Sequence, residues 1–235
     1  MYYGYGYYSS MIVLIPAMIF TIIVQMKLKS TFATYSRVEN SQHITGGEAA
    51  RAVLAAEGLH DVQIRVIRGN ALNDYYDPRN NTVHLASEIY EGTSVASIAI
   101  ACHEVGHAIQ HAQNYRPVRL RTGLVPLANT LGNLSWPFII IGLVLSTTSS
   151  VGSTLFNIGT LMFCTVILFH LVTLPVEFNA SSRALECMEA VGIANGQDRR
   201  GCQKVLRAAA MTYVAALATA VASLLRILLL RGRND

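Results

Sequence analysis

Charge is what this chain has least of. Asp, Glu, Lys and Arg make up 14% of its 235 residues, where a soluble domain carries roughly a quarter. Hydrophobic residues reach 52%. That balance excludes an ordinary soluble domain and points to a membrane protein. From Thr122 to Val176 there is no Asp, Glu, Lys or Arg at all. The basic residues form no dense run, so a net charge of +4 leaves no footprint for nucleic acid. The four cysteines, Cys102, Cys164, Cys187 and Cys202, make no C-x-x-C pair. They read as buried free thiols rather than disulfides or metal ligands. The opening MYYGYGYYSS holds no positive charge, and no small-x-small site follows the apolar run behind it. A cleaved signal peptide is therefore not expected.

The hydrophobic runs set the organisation. Residues 1–10 are a tyrosine-rich N-terminal tail suited to the headgroup level of a bilayer. Residues 11–27 read as a retained transmembrane helix, and residues 28–121 are polar enough for a soluble domain. The charge-free stretch is too long for one span and right for two. The polar break STTSSVGS at 146–153 divides it, so 122–146 and 153–176 are expected to span. Residues 177–207 are polar again, and 208–230 read as a fourth span. Lys27, Lys29, Arg116, Arg119 and Arg121 lie between the first two spans. Arg183, Arg199, Arg200, Lys204 and Arg207 lie in the second polar segment. The N-terminal tail and the 146–153 break hold no basic residue. The positive-inside rule then puts both polar segments in the cytoplasm. Arg231 and Arg233 run against this count.

Within residues 28–121 the local signals follow in order. Thr45-Gly-Gly-Glu48 before AARAVLAAEG predicts a capped helix closed by Gly58. Asp61–Ile67 alternates like a strand. Leu72–Ala86 reads as a hairpin turning at Pro78-Arg79-Asn80-Asn81. Ser94–Gln110 has small and apolar residues at helical spacing and no proline.

That last helix carries the chemistry. Residues 103–107 read His-Glu-Val-Gly-His. Two histidines four apart share a helix face, so both imidazoles can bind one zinc. The intervening Glu104 stands beside the metal, where it can deprotonate a bound water. A catalytic zinc keeping one open position needs a third protein ligand. His111 continues the i, i+4, i+8 series, but eight residues of straight helix rise about 12 Å, too far for three bonds of about 2 Å. His111 reads instead as a solvated or substrate-side histidine. Glu177 is the better candidate. It follows the third apolar run directly, where a lone carboxylate is costly unless partnered. Ala180 and Ser181, one turn on, are small enough to let another helix approach. The alternative is an interfacial glutamate paired with Arg183 or water, with Glu186 and Glu189 as the next ligand candidates.

Four stretches resemble the YugP-like family of bacterial membrane zinc metallopeptidases. They are Thr45-Gly-Gly-Glu-Ala-Ala-Arg51, Asp74-Tyr-Tyr-Asp-Pro-Arg79, Ser94-Val-Ala with His103-Glu-Val-Gly-His107, and Leu174-Pro-Val-Glu-Phe-Asn-Ala-Ser-Ser-Arg-Ala184. The last is also similar to the Glu-x-x-Ala-Asp segment of HtpX-type and CaaX prenyl proteases, in which the Glu binds zinc. The resemblance implies Glu177 as the third ligand. This chain departs at the aspartate position, which is Ser181, so no carboxylate stands there to orient a zinc-binding histidine.

The expected protein is mainly α, a multi-span membrane protein with a small α/β zincin-like cytoplasmic domain. It is read as a zinc metallopeptidase of the gluzincin type, an endopeptidase acting on membrane or membrane-proximal polypeptides. His103, His107 and Glu177 would hold one Zn2+ per chain, with Glu104 as general base. The alternative is a catalytically silent zinc-binding membrane scaffold or chaperone-like protein. Expected partners are the lipid bilayer and polypeptide substrates, without nucleic acid; a homo-oligomer is compatible with the sequence. The expected location is the bacterial inner membrane, with the site on the cytoplasmic side. His170, two turns before Glu177, reads either as a functional group within a span or as a neutral histidine bonded to a neighbouring helix. Tyr75, Tyr76 and His84 read as strand residues, one of which could donate to an oxyanion. Asn179 and Arg183 are candidates for contacts behind the ligands or with substrate, unless Arg183 only pairs with Glu186.

Overall fold

Among the described residues, four helices are long and apolar enough to cross a membrane. The computed structural model describes residues 10–68, 73–146 and 149–231. The tyrosine-rich tail up to residue 9, the start of the expected hairpin at Leu72, residues 147 and 148 of the polar break, and Arg233 lie outside the described residues. The chain is mainly helical with one small sheet. In order it forms α1 (Leu14–Tyr35), α2 (Gly46–Ala56), β1 (Gln63–Ile67), β2 (Tyr75–Asp77), β3 (Thr82–Ala86) and α3 (Ser87–Glu91). There follow α4 (Val95–Ala112), α5 (Arg116–Leu145), α6 (Ser150–Ala190) and α7 (Gly196–Arg231).

The chain divides into two compact units. One holds Arg119–Leu174 with the chain up to Val24 and from Thr212 onward; the other holds Gln25–Val118 and Pro175–Met211. The first is made from stretches of α1, α5, α6 and α7. Large apolar side chains such as Ile15, Ile22, Ile140, Leu161, Leu171 and Leu228 point outward from it. Such a surface is unfavourable in water and suits hydrocarbon. Small residues let its helices meet. A Cβ on Gly142 would run into the backbone nitrogen of Phe156, so α5 and α6 touch through backbone. Thr21 and Thr219 share a hydrogen bond of 3.2 Å between α1 and α7.

Three of these helices extend well past their apolar runs. α6 continues through Pro175 to Ala190, and α7 begins at Gly196. Most of the polar 177–207 segment is therefore helix. Hydropathy marks where lipid begins, whereas helices end only where a backbone break demands it. Here the break is Gly192, at φ +75°, a conformation that glycine adopts without strain.

The second unit is built around α4. Thirteen of its eighteen residues are buried, and their small size lets other elements pack on several sides. Ser94 caps its first turn by accepting the Ser97 N–H at 3.0 Å. At its far end Asn114 takes a left-handed φ of +53°, and α5 starts just beyond with Pro117 in its first turn, where a missing N–H costs nothing. α2 has the expected capping box: Glu48 N–H donates to Thr45 Oγ1, while Thr45 N–H donates to the Glu48 carboxylate at 2.7 Å. Gly58 follows it at φ +71°. The sheet order is β1-β3-β2, with β1 parallel and β2 antiparallel to β3. Central β3 buries Val83 and Leu85. The core joins these to Val53 and Leu54 of α2, Ile98, Val105 and Ile109 of α4, Met188 of α6 and Val205 of α7.

One contact sets the spacing of α4 against α6. A Cβ on Gly106 would sit 2.5 Å from the Ala180 carbonyl oxygen. Glycine at an ordinary helical position forgoes roughly 1 kcal/mol relative to alanine. Here the added methyl meets backbone that cannot turn aside, and overpacking costs about 1–3 kcal/mol. Gly106→Ala should therefore lower the thermal midpoint of the purified protein. A midpoint equal to or above that of the wild type would show that the two helices are not held at this distance.

Candidate metal centre

His103 and His107 project from α4 one turn apart, their ring centroids separated by 4.8 Å. Glu177 comes from α6, two residues past Pro175. Its Oε2 lies 3.4 Å from His103 Nε2 and 3.7 Å from His107 Nε2. One ligand atom from each of the three residues lies within 4.8 Å of the others. Donors bound at ~2.0–2.2 Å to one tetrahedral ion stand about 3.4 Å apart. The observed spacing, with two imidazole nitrogens and one carboxylate oxygen, therefore fits a small borderline metal such as zinc.

The electrostatics agree. Glu177 is 2% exposed. Burial alone would raise its pKa, but the flanking His103 and His107 outweigh burial and hold the carboxyl well below the usual carboxylate range. The carboxylate is thus ionised and available to a cation without first losing a proton. Glu104 is buried on the same helix. Burial pushes its carboxyl up to about 7, with Glu177 and Asp74 adding like charge and His103 opposing. A carboxylate poised there can both take and return a proton near neutral pH. The Tyr76 backbone N–H bonds Glu104. Since β2 pairs with β3 along its other side, the free edge of β2 faces the base.

Each ring has a partner at its second nitrogen. His103 Nδ1 lies 3.3 Å from Ser181 Oγ, so a neutral hydroxyl, not a carboxylate, stands against that ring. His107 Nδ1 lies 3.0 Å from Oε1 of the fully buried Gln110. Asn179 and Arg183 stand directly behind Gln110: the Gln110 amide donates to Asn179 Oδ1 at 2.9 Å, and Arg183 Nε donates to the same oxygen at 2.7 Å. Arg183 also donates to Gln113, rather than serving Glu186 alone.

The other candidates fall outside the cluster. His111 lies against Tyr76, ring centroids 5.4 Å apart, and lines a cavity of about 280 Å³ with Asn81 and Leu59. The helical rise that excluded it as a ligand holds. Glu189 pairs with Arg199 at 2.8 Å, and Glu186 is exposed. Tyr75 stacks on His84 across β2 and β3 at 4.5 Å. His170 packs beside Phe169 in the other unit. All four cysteines are free, two of them buried.

Sequence reasoning missed three residues. Gln110 is three positions after His107, a spacing at which helix side chains meet, and that was the available signal. Gly106 sits inside the motif but reads there as a variable position. Asp74 falls within the expected 72–86 hairpin, whose pattern gives it no role of its own. It accepts the Ala86 N–H at 2.5 Å, and burial pushes its carboxyl up to about 6.

The chain can now be set beside known proteins. Residues 10–232 match the profile of a family described as "Putative neutral zinc metallopeptidase". The chain is 40% identical over 213 residues to the "Putative membrane protease YugP" of Bacillus subtilis (strain 168), covering 90% of this chain and 92% of that protein. No solved structure matches it. The match runs through both units and spans the histidine pair and Glu177, and the chain belongs to this neutral zinc metallopeptidase family.

Proposed function

We propose that the protein is a membrane-bound zinc metalloendopeptidase of the gluzincin type, with His103, His107 and Glu177 holding one zinc and Glu104 serving as general base. The observation that carries this reading is the convergence of the three ligand atoms within 4.8 Å beside a buried carboxylate that ligand chemistry does not use. Metal binding alone has no need of Glu104, which weighs against a silent scaffold.

Bound zinc supplies a Lewis acid that lowers the pKa of a water towards 7 and polarises a carbonyl. The protein supplies the rest. Glu104 takes the proton of the attacking water and returns it to the leaving amine. Burial, with Glu177 and Asp74 nearby, keeps its affinity for that proton high enough for both transfers. The free edge of β2 offers backbone groups to an extended peptide, which would add as a strand alongside Glu104. Polypeptides in or next to the bilayer are the proposed substrates, because Glu177 directly follows an apolar run. The α/β unit is proposed as a zincin-like domain on the cytoplasmic side of the bacterial inner membrane. The basic residues at 27–29, 116–121 and 183–207 support that orientation.

Two substitutions separate the roles. Glu104→Gln keeps size and removes basicity, so zinc should stay bound while peptide hydrolysis falls by at least about 100-fold. Glu177→Ala should lose zinc and activity together. A Glu177→Ala protein with full zinc and turnover would hand the ligand role to another residue. Equal inertness of wild type and Glu104→Gln on every membrane and unfolded protein tried would favour the scaffold.

Orientation is open to a separate measurement. In a background without the native cysteines, a cysteine at Ser150 should react with an impermeant maleimide added outside intact cells, and one at Asn80 should not. The reverse pattern would move the site to the other side of the membrane.

A further inference from the structure

His107 offers a metal its Nε2 only if the ring proton sits on Nδ1. A chain of donors and acceptors reaching from the surface makes that choice. Arg183 is a donor at every nitrogen. Its Nε donates to Asn179 at 2.7 Å, so Asn179 must present Oδ1 there. That oxygen also receives Gln110 Nε2 at 2.9 Å, and the second Nε2 proton goes to the Val176 carbonyl at 2.8 Å. A flipped Gln110 would set its own oxygen against two oxygens that only accept. The amide is therefore held one way round, with Oε1 towards His107 Nδ1 at 3.0 Å. Oε1 accepts only, so Nδ1 carries a proton, and Nε2, on the side of Glu177, is the nitrogen left to bind a metal. Arg183 is anchored in turn by Gln113 Oε1 at 2.5 Å and by the face of Tyr115, 5.8 Å from its ring centroid.

We infer that Arg183, Asn179 and Gln110 are positioning residues that form a polarity relay, fixing His107 in the tautomer that presents Nε2 to the metal. The neutral amide of Gln110 stands against His107 where a carboxylate commonly orients a zinc-bound histidine. His103 has no equivalent lock. Ser181 Oγ, at 3.3 Å from its Nδ1, can rotate to donate or accept. The two imidazoles are thus held unequally, and the relay also ties α4 to α6 on the side of Glu177. This inference rests on the metal-site reading given above.

Zinc affinity tests it without reference to catalysis. The purified full-length protein is titrated with zinc against a chromophoric chelator, and its cobalt-loaded form is followed by visible absorption. Gln110→Met keeps volume but removes every hydrogen bond of the amide. It should weaken zinc binding by about 10–100-fold, the usual scale for loss of a group behind a ligand, and should shift the cobalt bands. Asn179→Leu breaks the relay one step further out and should weaken binding in the same direction. Asn179→Asp still accepts from both Gln110 and Arg183 and should bind zinc as the wild type does; a purely structural role for Asn179 would not distinguish charge-neutral loss from acceptor-preserving exchange in this way. If Gln110→Met fails to fold, the Asn179 pair decides. Wild-type affinity and unchanged cobalt bands in Asn179→Leu would overturn the relay while leaving the metal site standing. Failure of the wild type itself to load zinc, with His107→Ala no different, would instead overturn the metal-site reading and the relay with it.

Discussion

A buried carboxylate set between two imidazoles is the constraint on which the second unit depends. Glu177 is almost fully removed from water, and an isolated anion in such a place is expensive. It is tolerable only because α4 presents His103 and His107 at the same point. That presentation requires α4 and α6 to approach closely enough for Gly106 to sit against the Ala180 carbonyl. The small residues at the crossing and the charge they bring together are two sides of one arrangement. Without the close approach the ligand atoms separate, and without the imidazoles the carboxylate loses what holds it inside.

The same crossing carries the polar groups behind the ligands. Gln110, Asn179 and Ser181 lie at helical spacing from His107 and Glu177 along the facing surfaces of α4 and α6. Neutral partners leave the ligand set with a single negative charge, that of Glu177. A divalent ion held there would keep net positive charge, which would favour polarisation of a carbonyl over tight retention of the metal. Glu104 sits outside the proposed ligand set, buried and bonded by the Tyr76 N–H. The proposed ligand and the proposed base are thus two glutamates whose environments drive their proton affinities apart, one held ionised by the imidazoles and the other raised by burial.

Local signals were read well where backbone chemistry is local. The capping box at Thr45 and Glu48, the turn at 78–81 and the helix through the His-Glu-Val-Gly-His run all form where side chain and backbone interact within four residues. Hydropathy found the four apolar runs but not the ends of the helices that contain them. Charged residues such as Glu186 and Arg183 continue α6 without strain, so a change in polarity did not mark a change in backbone. The parallel pairing of β1 with β3 was likewise outside the reach of periodicity, because β1 alternates in the same way whichever neighbour it has.

By itself the sequence determined that the chain is rich in membrane-length helices, that two histidines share one face with a glutamate beside them, and that His111 lies too far along the helix to join them. Hydropathy gives the first, and helical geometry alone dictates the other two. Only the tertiary structure decided that Glu177, seventy residues from His107 along the chain, shares their point in space while Glu186 and Glu189 do not. It also decided that a serine and a glutamine stand where a carboxylate was missed, and that the free edge of β2 faces Glu104. The physical reason is range. Turns, caps and helix faces follow from neighbours along the chain, whereas the partner of a buried polar group depends on which helix packs against it and at what distance.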